Sequence, residues 1–183
     1  MNPRILTDNV LILKNIPRTG WLQRGIPPSV AETVAEHSFE VASILAVVAM
    51  EGVGGKLDSE RMLLMGILHD WGEAVAGDMP RSLTKRLGKG AKSEAETKIM
   101  GELAAASGFE AVSALFNEYE DRKTPEAVVV KIADILSTLR QSRAYLARGY
   151  KVEDIEAGCM EELEELMGRV KDRRLRAFLQ SLA

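Results

Sequence analysis

A chain of 183 residues with 46% apolar side chains is long enough to bury a full core and short for two ordinary domains, so one domain over residues 1–183 is expected. Its 24 basic and 27 acidic residues nearly cancel to a net charge of -3, which argues against the basic footprint that a long DNA or RNA backbone requires. The lone Cys159 cannot form an internal disulfide, and no apolar run has the length of a membrane span or a signal peptide, so a soluble cytoplasmic protein without a membrane partner is expected.

Helix formers dominate and apolar residues recur three and four positions apart, with no convincing strand, so the fold class expected is all-α, a single-domain helical bundle. A first helix over residues 5–15 is closed by Pro17, and residues 18–29, with Gly20, Gly25, Pro27 and Pro28, read as loop. Thr33 and Glu36 form a capping box that opens a helix to about Met50, although Ser29 and Glu32 have the same spacing and leave the start ambiguous by a turn. Residues 52–55, rich in glycine, end it. Asp58 or Ser59 caps the next helix, which reads from Glu60 to about Ala76 and stops at Gly77. Asp78, Met79 and Pro80 lead into a loop rich in Lys, Arg and Gly. Further helices fit residues 92–107 and 110–119. Thr124 as cap with Pro125 at the first helical position opens a long helix to Arg148, and residues 152–170 and 173–182 complete the chain.

The chain has two histidines, and both fall inside apolar helical patterns. His37 shares its face with Val34, Val41, Ile44, Leu45 and Val48, and His69 shares its face with Met65, Gly66, Gly72, Glu73 and Ala76. A single inward histidine is more often a core residue bonded to a carbonyl. Here Asp70 follows His69 directly after an apolar run, and Asp134 lies among Val128, Val129, Val130, Ile132, Ala133, Ile135 and Leu136, where an ionised carboxylate is costly unless paired or bound to a cation. For Asp134 the plain alternative is an ion pair with Arg140 or Arg143. Two imidazoles and two carboxylates together make a mixed site suited to one divalent transition metal (Mn, Fe, Co, Ni or Zn), with Mg less at home beside nitrogen. Four such ligands on an octahedral ion leave positions for water and a substrate oxygen, which is a hydrolytic design. Glu73, four residues after His69 and three after Asp70, is the candidate to orient the attacking water or move its proton, against the alternative of a solvated helix carboxylate. Asp78 could protonate a leaving group or hold a sugar hydroxyl, although Asp after Gly is also ordinary turn chemistry.

His37 within Val34-Ala35-Glu36-His37-Ser38, the His69-Asp70 pair and Asp134 within Lys131-Ile132-Ala133-Asp134 resemble the HD-domain phosphohydrolase superfamily, and within it the YfbR-like 5'-deoxynucleotidases. The resemblance extends to Glu73, to Gly77-Asp78-Met79-Pro80 and to the early loop Pro17-Arg18-Thr19-Gly20-Trp21, with a metal-site core at about residues 33–148. It implies a metal-dependent enzyme that removes phosphate from (deoxy)nucleoside 5'-monophosphates, a small-molecule nucleotide substrate and a homodimer. It also implies that Arg18 and Trp21 contact phosphate and sugar. A guanidinium suits phosphate and an indole suits sugar or base, whereas the plain readings are a surface Arg and a Trp that anchors a loop. The basic cluster Arg81, Lys85, Arg86, Lys89 and Lys92 reads as a solvated face. Two other functions share the residue set: an HD hydrolase acting on triphosphates, cyclic nucleotides or guanosine polyphosphates, and a helical module that binds metal or nucleotide without turnover.

Overall fold

The computed structural model describes residues 1–53, 55 and 57–183, and their side chains apart from those of Lys85 and Lys89; Gly54 of the glycine-rich stretch and two side chains of the basic cluster thus lie outside the described residues. Among the described residues the chain forms helices α1 (Pro3–Leu13), α2 (Thr19–Leu22), α3 (Val34–Glu51), α4 (Ser59–Leu68), α5 (Glu73–Ala76), α6 (Arg81–Leu87), α7 (Lys89–Ser107), α8 (Glu110–Asp121), α9 (Pro125–Ala147), α10 (Glu153–Arg169) and α11 (Arg173–Ser181). No strand occurs among them, and the fold is all-α; a single antiparallel bridge joins Pro17 to Thr33.

Local capping chemistry sets the starts of the helices that carry the site. Thr33 Oγ1 accepts from the Glu36 N–H at 3.2 Å while Glu36 Oε2 accepts from the Thr33 N–H at 2.7 Å, which settles the start of α3 at Thr33 and not Ser29. Asp58 caps α4 by accepting from the Arg61 N–H, and Thr124 caps α9 with Pro125 in the first helical position.

The long helix α9 runs through the middle, packed against α3, α4, α8 and α10. Val130, Ile132, Ala133, Leu136 and Leu139 are fully buried there against Val41 and Leu45 of α3 and Met62 and Met65 of α4. Each such aliphatic side chain contributes roughly 1.5–3 kcal/mol by leaving water. The approach of α4 to α3 is close enough that a Cβ at Gly66 would overlap the Leu45 side chain, so glycine is required at that crossing.

Three expectations need correction. The segment 18–29 is not all loop, because residues 19–22 close one helical turn, α2, held by the buried Trp21. The helix expected from Glu60 to about Ala76 breaks at residues 69–72. There the ladder tightens to three-residue spacing, with the Trp71 N–H donating to the Leu68 carbonyl and the Glu73 N–H to the Asp70 carbonyl, both at 3.0 Å. His69 contributes to the break, since its Nδ1 lies 2.8 Å from the Gly66 carbonyl and competes for that acceptor. The basic segment after Pro80 is also helical, as α6 and the start of α7. Helix α6 packs against α7, and Arg81 reaches α10, donating to the Gly158 carbonyl at 3.1 Å and pairing with Glu162 at 2.9 Å.

Candidate active site

Three parts of the fold converge on one region. His37 projects from the first turns of α3, Asp134 from the middle of α9, and His69 and Asp70 from the turn between α4 and α5. Nε2 of His37 lies 3.1 Å from Oδ1 of Asp134 and 3.6 Å from Oδ2 of Asp70, and Nε2 of His69 lies 3.1 Å from the same Asp70 oxygen. One donor atom each from His37, His69 and Asp70 fits within 4.8 Å of the others, a group able to hold an ion. Asn9 of α1 braces the turn by donating to the Trp71 carbonyl at 2.9 Å.

A divalent cation fits these residues on two observations. The Gly66 carbonyl can only accept, so His69 Nδ1 carries a proton and Nε2 offers a lone pair to the site. That Nε2 is buried and makes no hydrogen bond, because its approach to Asp70 lacks hydrogen-bond geometry despite the short distance. An orphaned acceptor beside carboxylates is explained by a cation. The charge balance agrees. Burial lowers the affinity of His69 for a proton, but the negative charge of Asp70 outweighs it and holds the imidazole above its ordinary value, a field that equally favours a cation there. Asp70 is held below the usual carboxylate range: burial opposes ionisation, and the neighbouring imidazoles reverse it.

Asp134 is also held well below that range, with burial overcome first by Lys131 and then by His37. Its partners are not the arginines of the plain alternative. Lys131 Nζ lies 2.7 Å from Oδ2 and the Tyr119 hydroxyl donates to the same oxygen at 3.0 Å, whereas Arg140 pairs with Glu40 and Arg143 with Glu156. Oδ1 is the atom turned toward His37.

Glu73 opens α5 and is buried, so it is not a solvated helix carboxylate. Burial pushes its pKa well above the ordinary value, aided by the charges of Asp70 and Asp78 and opposed by Lys92 and Arg18. Asp78 follows Gly77, whose φ of 74° ends α5 in the left-handed region. The Asp78 Oδ2 accepts from the Thr19 N–H, and its carbonyl accepts from Thr19 Oγ1 at 2.9 Å, fastening loop 17–19 to the 77–80 turn. Arg18 therefore reaches the same region: its guanidinium donates to Thr138 Oγ1 at 3.2 Å, one helical turn beyond Asp134. Burial lowers the Arg18 pKa, but Glu32, Asp78, Asp70 and Asp134 together raise it above the ordinary value, so it stays charged.

Trp21 is not brought to an open wall. It is buried with Ile26, Tyr145 and Val152, its ring edge-on to Tyr145 at 5.1 Å, and its indole N–H donates to Glu32 Oε2 at 3.0 Å. The residues that sequence reasoning missed are Glu32, Lys92, Tyr119 and Lys131. Lys131 had a usable signal, three residues before Asp134 on its helix; Lys92 stood in the basic cluster read as a solvated face but pairs with buried Glu73 and Glu96, and Tyr119 comes from another helix and had no signal.

A family model described as HD domain matches residues 10–171 of the chain. The 5'-deoxynucleotidase HDDC2 of Dictyostelium discoideum is 30% identical over 148 residues, covering 78% of this chain and 76% of that protein. The protein of the same name from Xenopus laevis is 30% identical over 161 residues, covering 87% and 70%. A solved structure of a conserved hypothetical protein from Pyrococcus furiosus superposes with a TM-score of 0.81 at 34% identity, covering 97% of this chain and 96% of that one.

Proposed function

The chain belongs to the HD-domain family, and on that footing we propose that it is a divalent-metal-dependent 5'-nucleotidase hydrolysing (deoxy)nucleoside 5'-monophosphates to nucleoside and phosphate. The observation that carries the reading is the grouping of His37, His69 and Asp70 about the orphaned His69 Nε2, with Asp134 Oδ1 joining it 3.1 Å from His37 Nε2. His37, His69, Asp70 and Asp134 would hold the ion, which supplies charge to polarise a phosphoryl oxygen and to acidify a water.

The chain's own groups do the rest. The permanently charged Arg18 offers a fork of donors to the phosphate, and its bond to Thr138 aims it from the α9 side. Glu73, buried at the start of α5 three residues after Asp70, takes the proton of the attacking water. Asp78 has Oδ2 committed to the loop through Thr19, which leaves Oδ1 to protonate the departing 5'-oxygen or hold a sugar hydroxyl. Trp21 serves by fixing the position of that loop from beneath, with Glu32 joining it to Arg18 at 3.7 Å.

The metal in this reading is a transition ion such as Mn, Co, Fe, Ni or Zn, because half of the donors are imidazoles. Residues 1–183 act as one domain and the working form is a cytoplasmic homodimer. Among the described residues no helix is long and apolar enough to cross a membrane. The test is phosphate release from a panel of deoxy- and ribonucleoside monophosphates by metal-stripped protein with each metal added back. Metal-dependent release that His69→Ala abolishes is expected; no release with any metal would overturn the reading.

A further inference from the structure

The two imidazoles of the site are oriented by different means. His69 is set by a backbone carbonyl of its own helix. His37 is set by side chains from two helices. Its Nδ1 lies 3.1 Å from Ser137 Oγ, and Ser137 Oγ lies 3.0 Å from Glu40 Oε2. Glu40 Oε1 in turn accepts from Arg140 Nε at 3.0 Å.

The directions in this chain of bonds follow from the inventory of protons. A hydroxyl has one hydrogen, and a carboxylate can only accept, so the Ser137 proton goes to Glu40. The Ser137 oxygen then presents a lone pair to His37, and Nδ1 must be the donor. With its proton on Nδ1, the His37 ring leaves the Nε2 lone pair, 3.1 Å from Asp134 Oδ1 and 3.6 Å from Asp70 Oδ2, to a cation held between them, in place of a ring proton donated to Asp134. Ser137 and His37 are fully buried, so water does not replace the bond between them.

We propose that Glu40 is a positioning residue that, acting through Ser137, holds His37 in the tautomer whose Nε2 faces the metal site. This rests on the reading of His37 as a metal ligand. The carboxylate touches neither metal nor substrate, and its effect is to deny His37 the competing arrangement in which Ser137 donates to an unprotonated Nδ1. The Arg140 pair keeps Glu40 aimed inward from a half-exposed position. Partners that orient a ligating histidine in this way typically matter about 10- to 100-fold in metal affinity.

The experiment is calorimetric titration of metal-stripped protein with Mn, comparing wild type, Glu40→Ala, Glu40→Gln, Ser137→Ala, the Glu40→Ala/Ser137→Ala double variant and His37→Ala, with thermal melts to confirm folding. Glu40→Ala and Ser137→Ala are each expected to weaken Mn binding about tenfold. The double variant should be no weaker than Ser137→Ala, because both act through one bond. Glu40→Gln, whose amide oxygen still accepts from Ser137, should recover most of the loss. Wild-type affinity in both single variants, with His37→Ala impaired, would overturn the relay and leave the metal site standing. Multiplied losses in the double variant would also overturn it. Unchanged affinity in His37→Ala would overturn the relay and the ligand assignment together. Should Ser137→Ala fail to fold, the comparison of Glu40→Ala with Glu40→Gln decides, equal affinities counting against the relay.

Discussion

Lys92 Nζ lies 3.4 Å from Oε1 of Glu73 and, from the same position on α7, 3.4 Å from Oε1 of Glu96. One ammonium thus serves two buried carboxylates, and burial leaves both with raised proton affinity despite it. For Glu73 the raised affinity suits a group that exchanges a proton during turnover. Glu73→Gln keeps the shape and removes the exchange, so turnover should fall on the order of 10²–10⁴-fold while metal affinity stays within a few-fold of wild type. Steady-state phosphate release beside a metal titration checks this, and parallel losses in both would make Glu73 a ligand instead of a base.

Glu96 provides a pH signature in stability. Burial, and then the charges of Asp70 and Glu120, push its pKa up to about 7 against the pull of Lys92. An unfolded Glu titrates near 4.3, so between these values the folded state binds more protons than the unfolded state, and stability falls as pH rises. Urea unfolding at about pH 5 and about pH 8 should show wild type losing on the order of 3 kcal/mol more than Glu96→Gln across that interval. Identical losses would mean that the carboxylate is ionised throughout.

Gly66 stands where α4 presses on α3. Alanine in a helix is ordinarily favoured over glycine by about 1 kcal/mol. Here its methyl would meet Leu45, and overpacking a core costs about 1–3 kcal/mol. Gly66→Ala should therefore lower the melting temperature, and a raised one would show that the two helices separate freely. The same shift displaces the carbonyl that orients His69, so Mn affinity should fall with it.

Lys131 neutralises Asp134 from one side while Asp134 Oδ1 faces the metal site from the other. Lys131→Met removes the ammonium that pairs with a buried carboxylate. The metal-free protein should lose about 2 kcal/mol, below the range for a fully buried pair because both side chains retain some exposure. Added Mn should restore more stability in the variant than in wild type, since it supplies the missing charge. Thermal melts with and without metal make the comparison, and an equal metal-induced shift in the two proteins would show that Asp134 does not feel the ion.

The helical class, most helix starts and the four-residue cluster were legible in the sequence because their signals are local or chemically costly. Thr33 and Glu36 lie three residues apart and bond each other directly. Asp134 announced itself as a charge among buried aliphatics, and two histidines on inward faces did the same. The residues that surround this cluster were less legible. Nothing around Lys92 points to Glu73 across 19 positions of chain, and nothing around Tyr119 points to Asp134. For Trp21 the choice between a loop anchor and a sugar wall depended on burial, which residue type does not specify.

The sequence by itself determined that this protein is helical and that His37, His69, Asp70 and Asp134 form one chemical set, because periodicity, caps and the cost of burying charge act over a few residues. The tertiary structure decided where the helix after Asp58 breaks, that α6 forms beside α7, and which side chains aim or neutralise the set. Those outcomes depend on groups from different helices meeting in a low-dielectric interior, where the nearest opposite charge or hydrogen-bond partner governs and distance along the chain does not.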